Sequence, residues 1–113
     1  MITLDALREY GADVSDGLGR CMNNEGFYLT LVSLLPKEKG FDELQQAIEE
    51  NDLSRAFEAA HSLKGVLGNL SITPLYRPLS EITELLRARR EANYPQLLKE
   101  INEEKERFFR LFE

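Results

Sequence analysis

Apolar residues recur at intervals of three and four along almost the whole chain, and no stretch alternates convincingly between apolar and polar. That spacing gathers hydrophobic side chains on one face of a helix, whereas a half-buried strand needs a period of two. The chain therefore reads as all-α. Thr3 caps a first short helix carrying Leu4 and Leu7, and Gly11 ends it. Asp13 caps a second short turn reaching Leu18 and Met22, although Gly17 and Gly19 weaken it. After a break at Asn23-Asn24, a helix is expected over about residues 24–35 with Phe27, Tyr28, Leu31, Leu34 and Leu35 inward, and Pro36 interrupts it.

Four further helices follow from the same pattern. One covers about residues 41–50 and buries Phe41, Leu44, Ala47 and Ile48, and the next covers about 53–70 with Asp52 as its cap. Thr73-Pro74 reads as a capping side chain followed by proline at the first helical position, opening a helix to about residue 90. Leu75, Leu79, Ile82, Leu85 and Leu86 point inward there. Asn93 caps the last helix, which carries Leu97, Leu98, Ile101, Phe108, Phe109 and Leu111. No repeat or long linker divides the chain. The expectation is one domain over residues 1–113: an antiparallel four-helix bundle with one or two short extra N-terminal helices.

With 42% hydrophobic and 30% charged residues the chain is too apolar to be disordered. Its net charge of -6 argues against nucleic acid or an anionic membrane as the main partner, since both require a basic footprint. The local cluster Arg87, Arg89, Arg90 does not reverse that sign. A lone cysteine, Cys21, cannot form an internal disulfide, and no leader or membrane-length apolar run stands out. A cytoplasmic monomer is expected. The opening methionine and the complete bundle pattern favour a free-standing form.

The only histidine, His61, lies in Ala60-His61-Ser62-Leu63-Lys64-Gly65-Val66-Leu67-Gly68-Asn69-Leu70. At ~100° per residue, the core face formed by Leu53, Ala56, Ala60, Leu63, Leu67 and Leu70 centres ~130° from His61. The imidazole should stand at the outer surface, with Lys64, Gly65 and Gly68 beside it and Phe57 one turn before. Lone histidines on helices are most often solvated surface residues, but the glycines argue otherwise here. Each costs about 1 kcal/mol relative to alanine inside a helix. On an outward face they bring no packing benefit to the domain, but they let another macromolecule approach closely. Lys64 favours the neutral imidazole that can act as a nucleophile and would offset charge on an attached phosphoryl group.

Other chemistries find less support. One histidine and one distant cysteine give no transition-metal spacing, and no glycine loop for a nucleotide is present. The acidic pairs Glu49-Glu50 and Glu103-Glu104 fall on solvated faces, and the remaining aromatics read as core. Tyr76, Ser80, Thr83 and Arg87 form a stripe along one flank of their helix, where they could border the histidine or be ordinary boundary residues.

The run His61-Ser62-Leu63-Lys64-Gly65, followed by Gly68-Asn69-Leu70, resembles the signature of histidine-containing phosphotransfer (HPt) domains. Arg20 followed by Phe27-Tyr28, and Asn51-Asp52-Leu53 before the histidine helix, are similar to family features as well. The resemblance implies a phosphorelay intermediate. His61 would exchange a phosphoryl group with the aspartate of a response-regulator receiver domain, free or carried by a hybrid histidine kinase. It implies supporting roles for Lys64 and Gly65, with Gly68 alongside. Thr83 stands 22 places after the histidine, where some members place a polar residue on the imidazole, and Arg87 matches a nearby basic residue. Ser71 replaces a glycine and Leu67 a small residue common in the family. No cofactor is expected in this chain, Mg²⁺ being the receiver's, and no autokinase activity. The alternative is a degenerate relative, a helical interaction module without phosphotransfer.

Overall fold

The computed structural model describes residues 2–113. Seven α-helices follow one another: α1 (Leu4–Tyr10), α2 (Val14–Arg20), α3 (Glu25–Ser33), α4 (Gly40–Glu49), α5 (Leu53–Asn69), α6 (Thr73–Arg87) and α7 (Tyr94–Phe109). The four longest, α4 to α7, form a closed circuit: α4 packs on α5, α5 on α6, α6 on α7, and α7 returns to α4. Among the described residues there is no strand, so the all-α bundle expected from the spacing is what forms.

The antiparallel arrangement follows from how the helices stop. Asn51, Ser71 and Arg89 each adopt left-handed backbone just beyond α4, α5 and α6, with φ of 55°, 58° and 52°. The next amide in each case reaches back five residues: Asp52 to the Ala47 carbonyl, Ile72 to Leu67 and Arg90 to Leu85. This hydrogen-bonded reversal satisfies orphan carbonyls and turns the chain sharply. Asp52 and Asn93 then accept the amides of Arg55 and Gln96, starting α5 and α7. Thr73 does not cap α6 as expected. It is the first helical residue, its hydroxyl donates to the Ser71 carbonyl, and the N-cap residue Ile72 offers no side-chain bond. The helix runs through Pro78 and ends at Arg87, three residues before the expected limit.

The core is continuous from Ile2 to Phe108, so α1 and α2 belong to the same packed unit as the bundle. Tyr10 ties α1 to α7 by donating to Glu104 at 2.7 Å and packing on the Phe108 ring. In α3 the expected apolar set is half right: Tyr28 and Leu35 are buried, whereas Phe27 and Leu34 face solvent and Val32 takes an inward place. The helix is apolar nearly all round, so spacing alone could not choose its inner face. Tyr28 is fully buried, and its hydroxyl donates to the Leu70 carbonyl at 2.8 Å, where burial pushes its pKa up to about 12.

Gly17 allows this contact. A Cβ there would sit 2.6 Å from the Tyr28 ring and 2.9 Å from the Leu70 carbonyl oxygen, whereas a Cβ at Gly19 meets nothing within 4 Å. Gly17→Ala should therefore destabilise the fold by about 1–3 kcal/mol through overpacking. Gly19→Ala should be neutral or stabilise by up to about 1 kcal/mol. Urea unfolding of the two variants checks the contrast.

Candidate functional site

The histidine helix α5 buries Ala56, Ala59, Ala60, Leu63 and Leu67 and turns His61 outward, as the angular argument requires. The imidazole stacks on Phe57, one turn earlier, with ring centroids 5.6 Å apart and planes 17° from parallel. Phe57 also carries the Arg87 guanidinium 5.0 Å from its ring centroid. Arg87 thus reaches the site through an aromatic spacer.

Lys64 reaches across to α6, where its Nζ lies 3.3 Å from Glu84 Oε1. The other oxygen of Glu84 lies 3.4 Å from Arg87 Nε. One carboxylate therefore holds both Lys64, which lines the groove beside the histidine, and Arg87, which packs on Phe57. The hydrogen bond from Lys64 holds the Glu84 carboxyl below its ordinary range; partial desolvation pulls the other way and Arg87 adds to the lowering. Sequence reasoning missed Glu84. Its partner is 20 residues away, and no local spacing marks the pair.

The two glycines differ. A Cβ at Gly65 would meet nothing within 4 Å, so the helix backbone there is open to an approaching surface. A Cβ at Gly68 would lie 3.1 Å from the Tyr76 ring of α6. The expectation that neither glycine serves packing is thus corrected at Gly68, which makes room for Tyr76 within the domain. Together with Arg20, His61, Lys64, Gly65, Gly68 and Asn69, Tyr76 lines a shallow groove of about 300 Å³ beside the imidazole.

Thr83 does not take the role implied for it. It is fully buried, and its hydroxyl donates to the Leu79 carbonyl one turn back. Sealed in the core and bonded within its own helix, Thr83 makes no hydrogen bond to the outward-facing imidazole. Ser71, where the resemblance implies glycine, adopts left-handed backbone and donates to Asp16 Oδ2 at 2.5 Å. The same Asp16 oxygen accepts from Arg20 Nε at 3.0 Å, which steadies Arg20 at the edge of the groove. The Ser71 hydrogen bond, and after it the one from Arg20, hold the Asp16 carboxyl below its usual range. Leu67 is fully buried in the core beneath the site.

Among the described residues no group of three or more His, Cys, Asp or Glu side chains could hold a metal ion. No helix among them is long and apolar enough to cross a membrane. What α5 and α6 present is a lone outward histidine, an open glycine turn and paired basic side chains on an all-helical frame. That defines a histidine-presenting helical bundle. A family model for the Hpt domain matches residues 38–110, about two thirds of the chain, and the chain belongs to that family. Hpt domains are histidine phosphotransfer modules of phosphorelays that work with receiver domains of response regulators. No curated protein and no solved structure matches the chain.

Acid should loosen the site's frame. Asp16 and Glu84 both titrate lower in the folded chain than their ordinary values of 3.8 and 4.5. The unfolded chain therefore takes up protons first. Their contribution to stability is complete above those ordinary values and is lost as pH falls through the lowered ones. Urea midpoints should decline over roughly pH 6 to pH 3, and more shallowly in an Asp16→Asn/Glu84→Gln double variant. Both carboxylates are exposed, so the difference should shrink at high salt.

Proposed function

We propose that His61 is the phospho-acceptor and phospho-donor of a phosphorelay, exchanging its phosphoryl group with an aspartate of a receiver domain. The observation that carries this reading is an exposed imidazole next to a helix turn, at Gly65, that nothing in the domain covers. In the neutral ring, Nε2 offers its lone pair to phosphorus while Nδ1 keeps its hydrogen. The Nε2–P bond forms, the P–O bond to the aspartate breaks, and the electron pair leaves with the carboxylate. The reverse step returns the phosphoryl group to an aspartate.

Lys64 and Arg87 offset the added negative charge, and Gly65 lets the receiver's loops approach α5. Gly68 acts indirectly by seating Tyr76 at the groove. Mg²⁺ belongs to the receiver, and the role asks for no autokinase activity of this chain. Half of the active site is the partner's. The domain works as a monomer in the cytoplasm, a setting that agrees with its single, buried thiol.

The test is a panel of radiolabelled phospho-receivers mixed with the purified protein. Acid-labile, base-stable label should pass to the wild type and not to His61→Gln. Failure across the panel, or equal labelling of His61→Gln, would overturn the reading in favour of an interaction module without phosphate chemistry. Gly65→Leu should slow transfer by on the order of tenfold or more, because displacing the partner even slightly spoils in-line geometry. The same change should raise helix stability by up to about 1 kcal/mol. Transfer rate and urea midpoint, measured on the same sample, separate the two effects.

A further inference from the structure

Resting on the reading of His61 as phospho-acceptor, we infer that Phe57 is a positioning residue for the transfer. Its ring supports one face of the imidazole and holds it in the orientation that meets the incoming phosphorus.

The helix itself sets up this support. Side chains on an α-helix lean back toward its N-terminus, over the residues three and four places earlier. The imidazole of His61 therefore leans toward Phe57 and away from Gly65. The two rings lie 5.6 Å apart and 17° from parallel, within the offset-stacked range that aromatic pairs favour. One turn the other way, a Cβ at Gly65 would meet nothing within 4 Å. The ring is thus backed toward the start of α5 and open toward its end, where the receiver approaches.

An aromatic pair four residues apart can simply stabilise a helix. Phe57 does more because it is itself seated from outside α5. It is half-buried against the core, and the Arg87 guanidinium of α6 packs 5.0 Å from its ring centroid. Glu84, on the same helix as Arg87, lies 3.4 Å from Arg87 Nε. The other side chains expected to serve the histidine are engaged elsewhere. Thr83 is sealed in the core on the Leu79 carbonyl, and Lys64 extends to Glu84. An exposed histidine with no backing spreads over several staggered rotamers, and each departure from in-line geometry slows the transfer.

The wild-type protein gives the first reading. His61 is the only histidine, so its carbon-bound ring protons can be identified by proton NMR. The Phe57 ring should move the proton nearest it upfield of its position in the urea-unfolded chain at the same pH. Phe57→Leu should abolish that displacement and Phe57→Tyr should keep it. Transfer from a phospho-receiver is then followed in single turnovers at rising concentrations of this protein. Phe57→Leu should lower the maximal rate about three- to tenfold and leave the half-saturating concentration within about twofold of wild type. Phe57→Tyr should restore the rate. Phosphoramidate, small enough to approach from any side, should label His61 in each protein at similar rates: the Nε2–P bond forms, the P–N bond of the reagent breaks and ammonia leaves. A docking role for Phe57 would raise the half-saturating concentration instead, and a role in helix stability alone would lower the urea midpoint with the rate unchanged. Either result overturns the inference. So does an undisplaced imidazole in the wild type, a Phe57→Tyr variant as slow as Phe57→Leu, or a parallel fall in phosphoramidate labelling. If no receiver transfers, the phosphorelay reading falls and this inference with it. If receivers transfer and Phe57→Leu keeps the wild-type rate, this inference alone falls.

Discussion

The seam between α5 and α6 is the contact on which the rest of the molecule depends. Ala56, Ala60, Leu63 and Leu67 on one side and Leu75, Leu79, Ile82 and Leu86 on the other are all almost fully buried. Each buried leucine or isoleucine contributes about 1.5–3 kcal/mol. The exposed ion pairs over the same seam contribute about 0–1 kcal/mol each. Burial therefore fixes how the helices lie, and the charges of Lys64, Glu84 and Arg87 remain free to serve chemistry. The rotation of α5 that buries its alanines and leucines also turns His61 outward.

Around that seam the molecule separates rigid support from open surface within a single helix turn. Gly68 is filled by Tyr76, whereas Gly65 has nothing above it. Behind them, Asp16 links Ser71 at the α5–α6 turn to Arg20 at the groove, and Tyr28 anchors the Leu70 carbonyl. Two of the helices that precede the bundle, α2 and α3, thus hold the end of the histidine helix in place, although both lie before the stretch matched by the family model. Left-handed backbone at Ser71 disfavours a side chain. The hydrogen bond to Asp16 gives that side chain a function a glycine would lack.

Much of this was legible in the sequence because it is local. Periods of three and four located the bundle helices, and the angle between His61 and the apolar set of α5 gave the exposure of the imidazole. Phe57 as a flanking residue followed from the same wheel. The errors share a different cause. Phe27 and Leu34 were expected inside because α3 is apolar on several faces, and its docking, rather than its spacing, decides which face is buried. Thr83, Glu84 and Tyr76 take their roles from side-chain choices between helices: a hydroxyl satisfied by its own turn, a carboxylate meeting a distant lysine, a ring filling the space left by Gly68. The register of Glu84 against Lys64 is set by how α5 packs on α6, which no local spacing carries.

The central claim is that His61 carries a phosphoryl group in transit, and the most direct measurement follows its onward passage. The phosphorylated protein, freed of its donor, is mixed with unlabelled receiver, and the chemistry of the label is followed over time. The account predicts that acid-labile label on this chain becomes base-labile label on the receiver faster than it is lost to water. Release only as inorganic phosphate, at the same rate with and without receiver, would contradict it.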